Sequence, residues 1–128
     1  MIRYATVGSN KLEEAKAFYD AVLGAIGMSK AFDQAAGGRV YGSATGMFGV
    51  LKPHNGNEAS VGNGTMLGFA LDSRAEVDAM YAKAIELGAT DEGAPGIRGG
   101  EGSNSYFAYF RDLEGNKLCA YTLNPPAA

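Results

Sequence analysis

Few side chains in this sequence are equipped for polar chemistry. Its 128 residues include one histidine, His54, and one cysteine, Cys119. Histidine serves as acid, base or metal ligand near neutral pH. His54, however, stands in the polar stretch PHNGNEASVGNG, where a solvated loop residue is the expected role. Glu58 and Glu101 stand in comparable stretches and read as solvated charges. A cysteine attacks only as thiolate, which requires a nearby cation or a helix N-terminus. No Cys-His pairing is visible near Cys119 in the sequence, so the expected role is that of a small buried hydrophobe. Arg98 lies in GAPGIRGGEGS, Gly93 to Ser103, and its forked donors suit a carboxylate or phosphate on a ligand. That stretch lacks a Gly-Lys-Ser/Thr ending and runs into a strand, which excludes a phosphate-cradling loop. It reads either as a flap over a cavity mouth or as plain surface.

The elements that must position these residues follow from periodicity. Ile2 to Gly8 is strand-like, and Asn10 with Glu13 is a helix-start signal of the capping-box kind. Leu12, Ala15, Tyr19, Val22 and Leu23 form a helical stripe that ends at Gly24. Met28–Phe32, Arg39–Ala44 and Met47–Leu51 are candidate strands, parted by Gly37-Gly38 and Thr45-Gly46. After Pro53–Gly64 the order begins again. Thr65–Leu71 is a strand, Ser73 with Glu76 repeats the cap, and Val77, Met80, Tyr81, Ala84 and Ile85 form a second stripe ending at Gly88. Ala89–Ala94 is a weak strand or loop, and Tyr106–Arg111 and Lys117–Thr122 are strands around a tight turn at Leu113–Asn116 in which Gly115 supplies positive φ.

This order is an internal repeat. KLEEAKAFY at Lys11–Tyr19 lies over SRAEVDAMY at Ser73–Tyr81, with Tyr4 on Met66, Thr45-Gly46 on Glu114-Gly115 and Val50 on Cys119. The reading is an α+β fold of two strand-helix-three-strand modules, residues 1–52 and 65–123, joined by a linker over 53–64. Alternation puts Tyr106, Ala108 and Phe110 on one face of the seventh strand and Phe107, Tyr109 and Arg111 on the other. One face must meet the helix; if the sheet curls into a half-barrel the other lines a cavity, and an aromatic lining suits a flat or apolar small molecule.

Composition narrows the partners. A content of 46% hydrophobic and 20% charged residues is that of a globular domain, and 19 glycines imply many turns in a sheet-rich chain. The formal charge is −3, with no cluster of Lys or Arg, which leaves nucleic acid and acidic lipid without a footprint. The uncharged run Val40–Leu51 is broken by three glycines and is too short to span a membrane. MIRYATVGSN has no apolar run of the signal-peptide kind, and a single cysteine makes no internal disulfide. A cytoplasmic setting is expected.

The stretch Arg111–Tyr121, RDLEGNKLCAY, resembles the Asp-Pro-(Asp/Glu)-Gly-Asn signature of the glyoxalase, bleomycin-resistance and extradiol-dioxygenase proteins, the vicinal-oxygen-chelate superfamily. Ala15, Phe18, Tyr19, Leu23 and Gly24 resemble that superfamily's first helix, and Gly93, Ala94, Pro95, Gly96, Ile97 and Arg98 resemble a subgroup motif. The resemblance implies a pair of βαβββ modules whose curved mixed sheets form half-barrels around a ligand cavity, in a homodimer. Metal-dependent members take His and carboxylate ligands from the first and last strands of each module to polarise a substrate with adjacent oxygens. Carried over, those positions fall on Tyr4, Val50, Met66 and Cys119. None is a His or a carboxylate, so no metal cofactor is expected. The implied cavity is lined by Tyr4, Tyr41, Phe48, Val50, Met66, Arg98, Tyr106 and Cys119. Two functional readings follow: a metal-free small-molecule binder with the logic of the bleomycin-resistance branch, or a lyase, isomerase or dioxygenase of the superfamily. The second would use displaced metal ligands, or Tyr4, Arg98 and Tyr106 as acid/base and electrostatic groups. An interaction module with no ligand is the weakest reading, because curved sheets enclose a space that needs filling.

Overall fold

The computed structural model describes residues 1–123. Strand β1 (Tyr4–Gly8), helix α1 (Leu12–Gly24) and strands β2 (Ser29–Asp33), β3 (Arg39–Gly42) and β4 (Met47–Leu51) make the first module. Strand β5 (Met66–Ala70), helix α2 (Arg74–Glu86) and strands β6 (Thr90–Ile97), β7 (Tyr106–Arg111) and β8 (Lys117–Thr122) repeat it. The sheets have the orders β1-β4-β3-β2 and β5-β8-β7-β6, and in each the first and last strands of the module pair in parallel at its inner edge. Both helices are 13 residues long, and among the described residues no helix is long and apolar enough to cross a membrane.

The core lies between the helices and one face of each sheet. Phe18, Tyr19, Val22 and Leu23 of α1 and Val77, Met80 and Ala84 of α2 are buried in one cluster with Phe48, Val50, Phe110, Leu118 and Ala120. Rings of Phe48 and Phe69 meet edge to face at 5.3 Å, so the cluster runs across the boundary between modules. The helical stripes read from the sequence are thus the buried stripes. Ser73 caps α2 as expected, its Oγ accepting from the Glu76 amide at 3.2 Å.

Two local expectations differ. Helix α1 begins one residue later than an Asn10 cap would place it, with no side-chain cap on Lys11. Asn10 instead clasps the linker: its Nδ2 donates to the Ala59 carbonyl at 3.0 Å and its Oδ1 accepts from the Ala59 amide at 2.7 Å. A side chain that satisfies a distant backbone pair is lost to its own helix. The glycine-rich stretch is also shorter as a loop than its composition implies, because β6 extends through Pro95 and Gly96 to Ile97. Pairing of β6 with β7 slips between Asp91 and Gly93 and again between Gly93 and Gly96, and such irregular pairing on an edge strand admits proline and glycine.

The turn between β7 and β8 holds the modules together. Asp112 is 4% exposed. Its carboxylate accepts from the Tyr19 hydroxyl of α1, from the Glu114 and Asn116 amides at 2.9 Å each, and from Asn116 Nδ2 at 2.9 Å. Asn116 Nδ2 also reaches the Gly8 carbonyl at 3.2 Å, and Glu114 Oε1 accepts from Ser9 Oγ at 2.8 Å and the Asn10 amide at 2.9 Å. Gly115, at φ +99°, makes the turn possible. Burial, and then the Asp112 charge, push the Tyr19 hydroxyl well above the ordinary tyrosine range, which keeps it a donor. Tyr19→Phe is expected to lower stability by about 1–3 kcal/mol in urea unfolding, because it leaves a buried carboxylate one donor short. An unchanged midpoint would remove the clasp from the account.

Candidate functional site

Strand alternation sorts every candidate side chain to one of two faces. In the first sheet the register Tyr4↔Met47, Ala5↔Phe48, Thr6↔Gly49, Val7↔Val50 puts Ala5, Val7, Phe48 and Val50 toward the helices. Tyr4, Thr6, Met47 and Gly49 take the opposite, open face. In the second sheet Leu67, Phe69, Phe110, Leu118 and Ala120 face the helices. Met66, Gly68, Lys117, Cys119, Tyr121, Phe107, Tyr109 and Arg111 share the open face by the same register.

A cleft of about 460 Å³ lies at the seam between β1 and β5. Tyr4 and Met47 line it from the first module and Met66, Gly68, Ala70 and Tyr121 from the second, with Arg3, Ser43 and Thr45 among its polar margin. Tyr4, Met47 and Met66 are 49%, 42% and 43% exposed, unusual for large apolar side chains. A second hollow of about 690 Å³ is lined largely by the linker, including His54, Lys52 and Glu58.

Of the eight residues expected in one cavity, the structure brings Tyr4, Phe48 and Met66 to this cleft. Phe48 reaches it from the core side. Tyr41 and Val50 do not line it. Tyr41 faces α1, its hydroxyl donating to Asp20 Oδ1 at 2.7 Å, and burial raises its pKa further than that contact does. Val50 is fully buried beneath α1. Tyr106 likewise faces the helix side, where its hydroxyl donates to Asp78 of α2 at 2.7 Å and its ring lies 5.1 Å from the Arg74 guanidinium. The acid/base role imagined for Tyr106 therefore has no access to the open face. Arg98 and Cys119 do belong to that face, beside the cleft and outside its lining.

The register also corrects one carried-over position. Tyr4 pairs with Met47 as Met66 pairs with Lys117, so the counterpart of Cys119 is Gly49, one residue before Val50. A slip of one residue moves a side chain to the other face of a sheet, and in Met47-Phe48-Gly49-Val50-Leu51 apolar residues on both faces gave the alignment no alternation to catch it. The four equivalent open-face positions are thus Tyr4, Gly49, Met66 and Cys119. A phenol, a hydrogen, a thioether and a thiol do not make a site for a hard divalent cation. Among the described residues no three His, Cys, Asp or Glu side chains are grouped so as to hold a metal ion.

Cys119 is 1% exposed. Burial pushes its thiol up to about 11, with only partial relief from the Lys117 charge, so it is protonated and a poor nucleophile at neutral pH. Sequence reasoning missed the row beside it. Tyr109, Phe107 and Tyr121 stack successively, with centroids 5.8 and 5.0 Å apart and interplanar angles of 15° and 12°. Arg98 and Lys117 each lie 5.5 Å from the Tyr109 ring centre. The alternation of β7 separated Phe107 and Tyr109 from Tyr106, but only the helix contacts decide which set faces the cavity. Iodoacetamide at pH 7.4 is expected to leave native Cys119 unmodified for hours and to label it fully once the chain is unfolded; rapid one-to-one labelling of the native protein would contradict the buried, protonated thiol.

The sequence model of the Glyoxalase/Bleomycin resistance protein/Dioxygenase superfamily matches residues 2–120. A crystal structure of a glyoxalase/bleomycin resistance protein from Albidiferax ferrireducens T118 is similar at 41% identity and TM-score 0.86, covering 95% of this chain and 98% of that one. Lactoylglutathione lyase from Agrobacterium tumefaciens shares the fold at 21% identity and TM-score 0.69, over 95% of this chain and 92% of its own. A hypothetical protein, SA1046 from S. aureus, does so at 18% identity and TM-score 0.70, over 95% and 96%. No curated protein matches the sequence.

Proposed function

Because the chain belongs to the glyoxalase/bleomycin resistance protein/dioxygenase superfamily, we propose that it uses that superfamily's two-module scaffold to bind a small molecule without a metal. The observation that carries this reading is the pairing of an open apolar cleft with four positions, Tyr4, Gly49, Met66 and Cys119, that lack the donors a divalent cation needs. Superfamily chemistry on a substrate with adjacent oxygens relies on a Lewis acid to spread negative charge, and these side chains do not hold one. The protonated Cys119 thiol and the helix-facing Tyr106 supply no acid/base pair in its place. Binding in the cleft would come from burial of an apolar body against Tyr121, Met66, Met47 and Tyr4.

The same reading includes a homodimer in the cytoplasm. A second copy would close over the open side of the cleft and its exposed rim at Ile2, holding the ligand between two chains, and a lone buried thiol suits a reducing compartment. Light scattering checks the first point: twice the chain mass is expected, and a monomer at tens of micromolar would contradict it.

Metal analysis tests the central part. Protein purified without chelator is expected to carry no stoichiometric Ni, Zn, Mn or Fe and to show no melting shift when each is added, since an ion without ligands in the folded state contributes nothing to it. One ion per chain with a rise of several degrees would return the lyase, isomerase or dioxygenase reading.

A further inference from the structure

The open face of the second sheet carries two cations with no anionic partner among the described residues. Five basic residues are held in ion pairs: Lys16, Lys30, Arg39, Lys83 and Arg111. Arg111 lies directly across from Lys117 in the β7–β8 register, and Glu92 neutralises it. Lys117 and Arg98 have no carboxylate among the described residues. Both instead lie against the Tyr109 ring, in a chain whose net charge is negative.

Arg98 is seated for this. Its Nη2 donates to the Ala94 carbonyl at 2.8 Å. A Cβ at Gly96 would come within 2.9 Å of Nη1, and one at Gly93 within 3.2 Å of Nη2. The glycines of Gly-Ala-Pro-Gly-Ile-Arg thus clear a bed for the guanidinium over β6. Lys117 is the β8 partner of Met66, which lines the cleft, and stands two residues from Cys119 on the same face. A fixed positive charge therefore stands beside the positions from which metal-ligating side chains are missing.

Resting on the ligand-binding reading above, we propose that Lys117 and Arg98 form an anion subsite, and that the natural ligand is a flat aromatic or conjugated organic anion. Its apolar body fills the seam cleft against Tyr121 and Met66, and its carboxylate or other oxyanion reaches Lys117 beside Met66, with the Arg98 charge across β7 adding to the attraction. The geometry favours an anion because both cations stand on this face, flanking β7 from β6 and β8, without a carboxylate among the described residues, and a charge-assisted hydrogen bond to an oxyanion is stronger than a neutral one. Rings stacked in a row next to the cleft favour a planar body.

Two fluorescent probes separate this inference from the reading beneath it: 8-anilinonaphthalene-1-sulfonate and its uncharged analogue N-phenyl-1-naphthylamine. Both are titrated into the wild type, Lys117→Met, Arg98→Met and Tyr121→Ala at low ionic strength. The expected result is that Lys117→Met and Arg98→Met each lower the ratio of sulfonate to neutral-probe affinity by about tenfold, the size of one charge-assisted contact. Tyr121→Ala is expected to weaken both probes and leave the ratio unchanged. Should Lys117→Met fail to fold, Arg98→Met, on a surface-reaching loop, decides. A ratio unchanged in the cation variants, with both probes still bound, would overturn the anion subsite and leave the binding reading standing. Failure of both probes to bind the wild type would overturn the two together.

Discussion

A single buried carboxylate, that of Asp112, sets the relation between the two halves of this molecule. It sits at the end of β7 in the second module, yet one of its donors is Tyr19 from the helix of the first. The neighbouring Asn116 and Glu114 carry the same connection to Gly8, Ser9 and Asn10. A carboxylate taken out of water is tolerated only when its lone pairs are filled, and here two amides, a side-chain amide and a phenol fill them. Because those donors come from both modules, the carboxylate is satisfied in only one relative placement of the sheets. The cleft at the seam of β1 and β5 is a consequence of that placement, since neither module alone encloses it.

Much of this was legible in the sequence. The duplication, the helical stripes and the order of strands appear in the pattern of apolar residues because each element buries one face on a common core, and Ser73 announces its helix by local chemistry. What the sequence concealed were relations across long separations. Asn10 has the composition of a cap but is taken by Ala59, and Asp112 finds Tyr19 only after folding. The eight-residue β6 passes through a proline and two glycines that read as loop, because pairing on an irregular edge does not leave a periodic trace.

The residues of the candidate cleft were legible in part for the same reason. Tyr4 and Met66 begin the first strand of each module, where the repeat is clearest, and both reach the cleft. Val50, one residue off, and Tyr41 and Tyr106, on the helix-facing side, show how little a residue's type says about its face when aromatic and apolar residues occupy both sides of a strand. Tyr109, Phe107, Tyr121 and Lys117 become visible only through the β7–β8 register. The two faces then separate chemically. On the helix side, tyrosine hydroxyls are spent on Asp20, Asp78 and Asp112; on the open side, aromatic rings meet cations. Positive charge on the protein's own side chains thus borders the space where relatives of the metal-dependent kind would place an ion.

The central claim, that the seam between modules is a receptor for a small molecule, is tested most directly by methyl NMR of protein labelled at its methionines. Met47 and Met66 line the seam, whereas Met80 is buried on the core face of α2. Saturation with N-phenyl-1-naphthylamine is predicted to move the Met47 and Met66 methyl signals by ring-current shifts and to leave Met80 in place. A probe that binds while both seam methyls stay still would contradict the account.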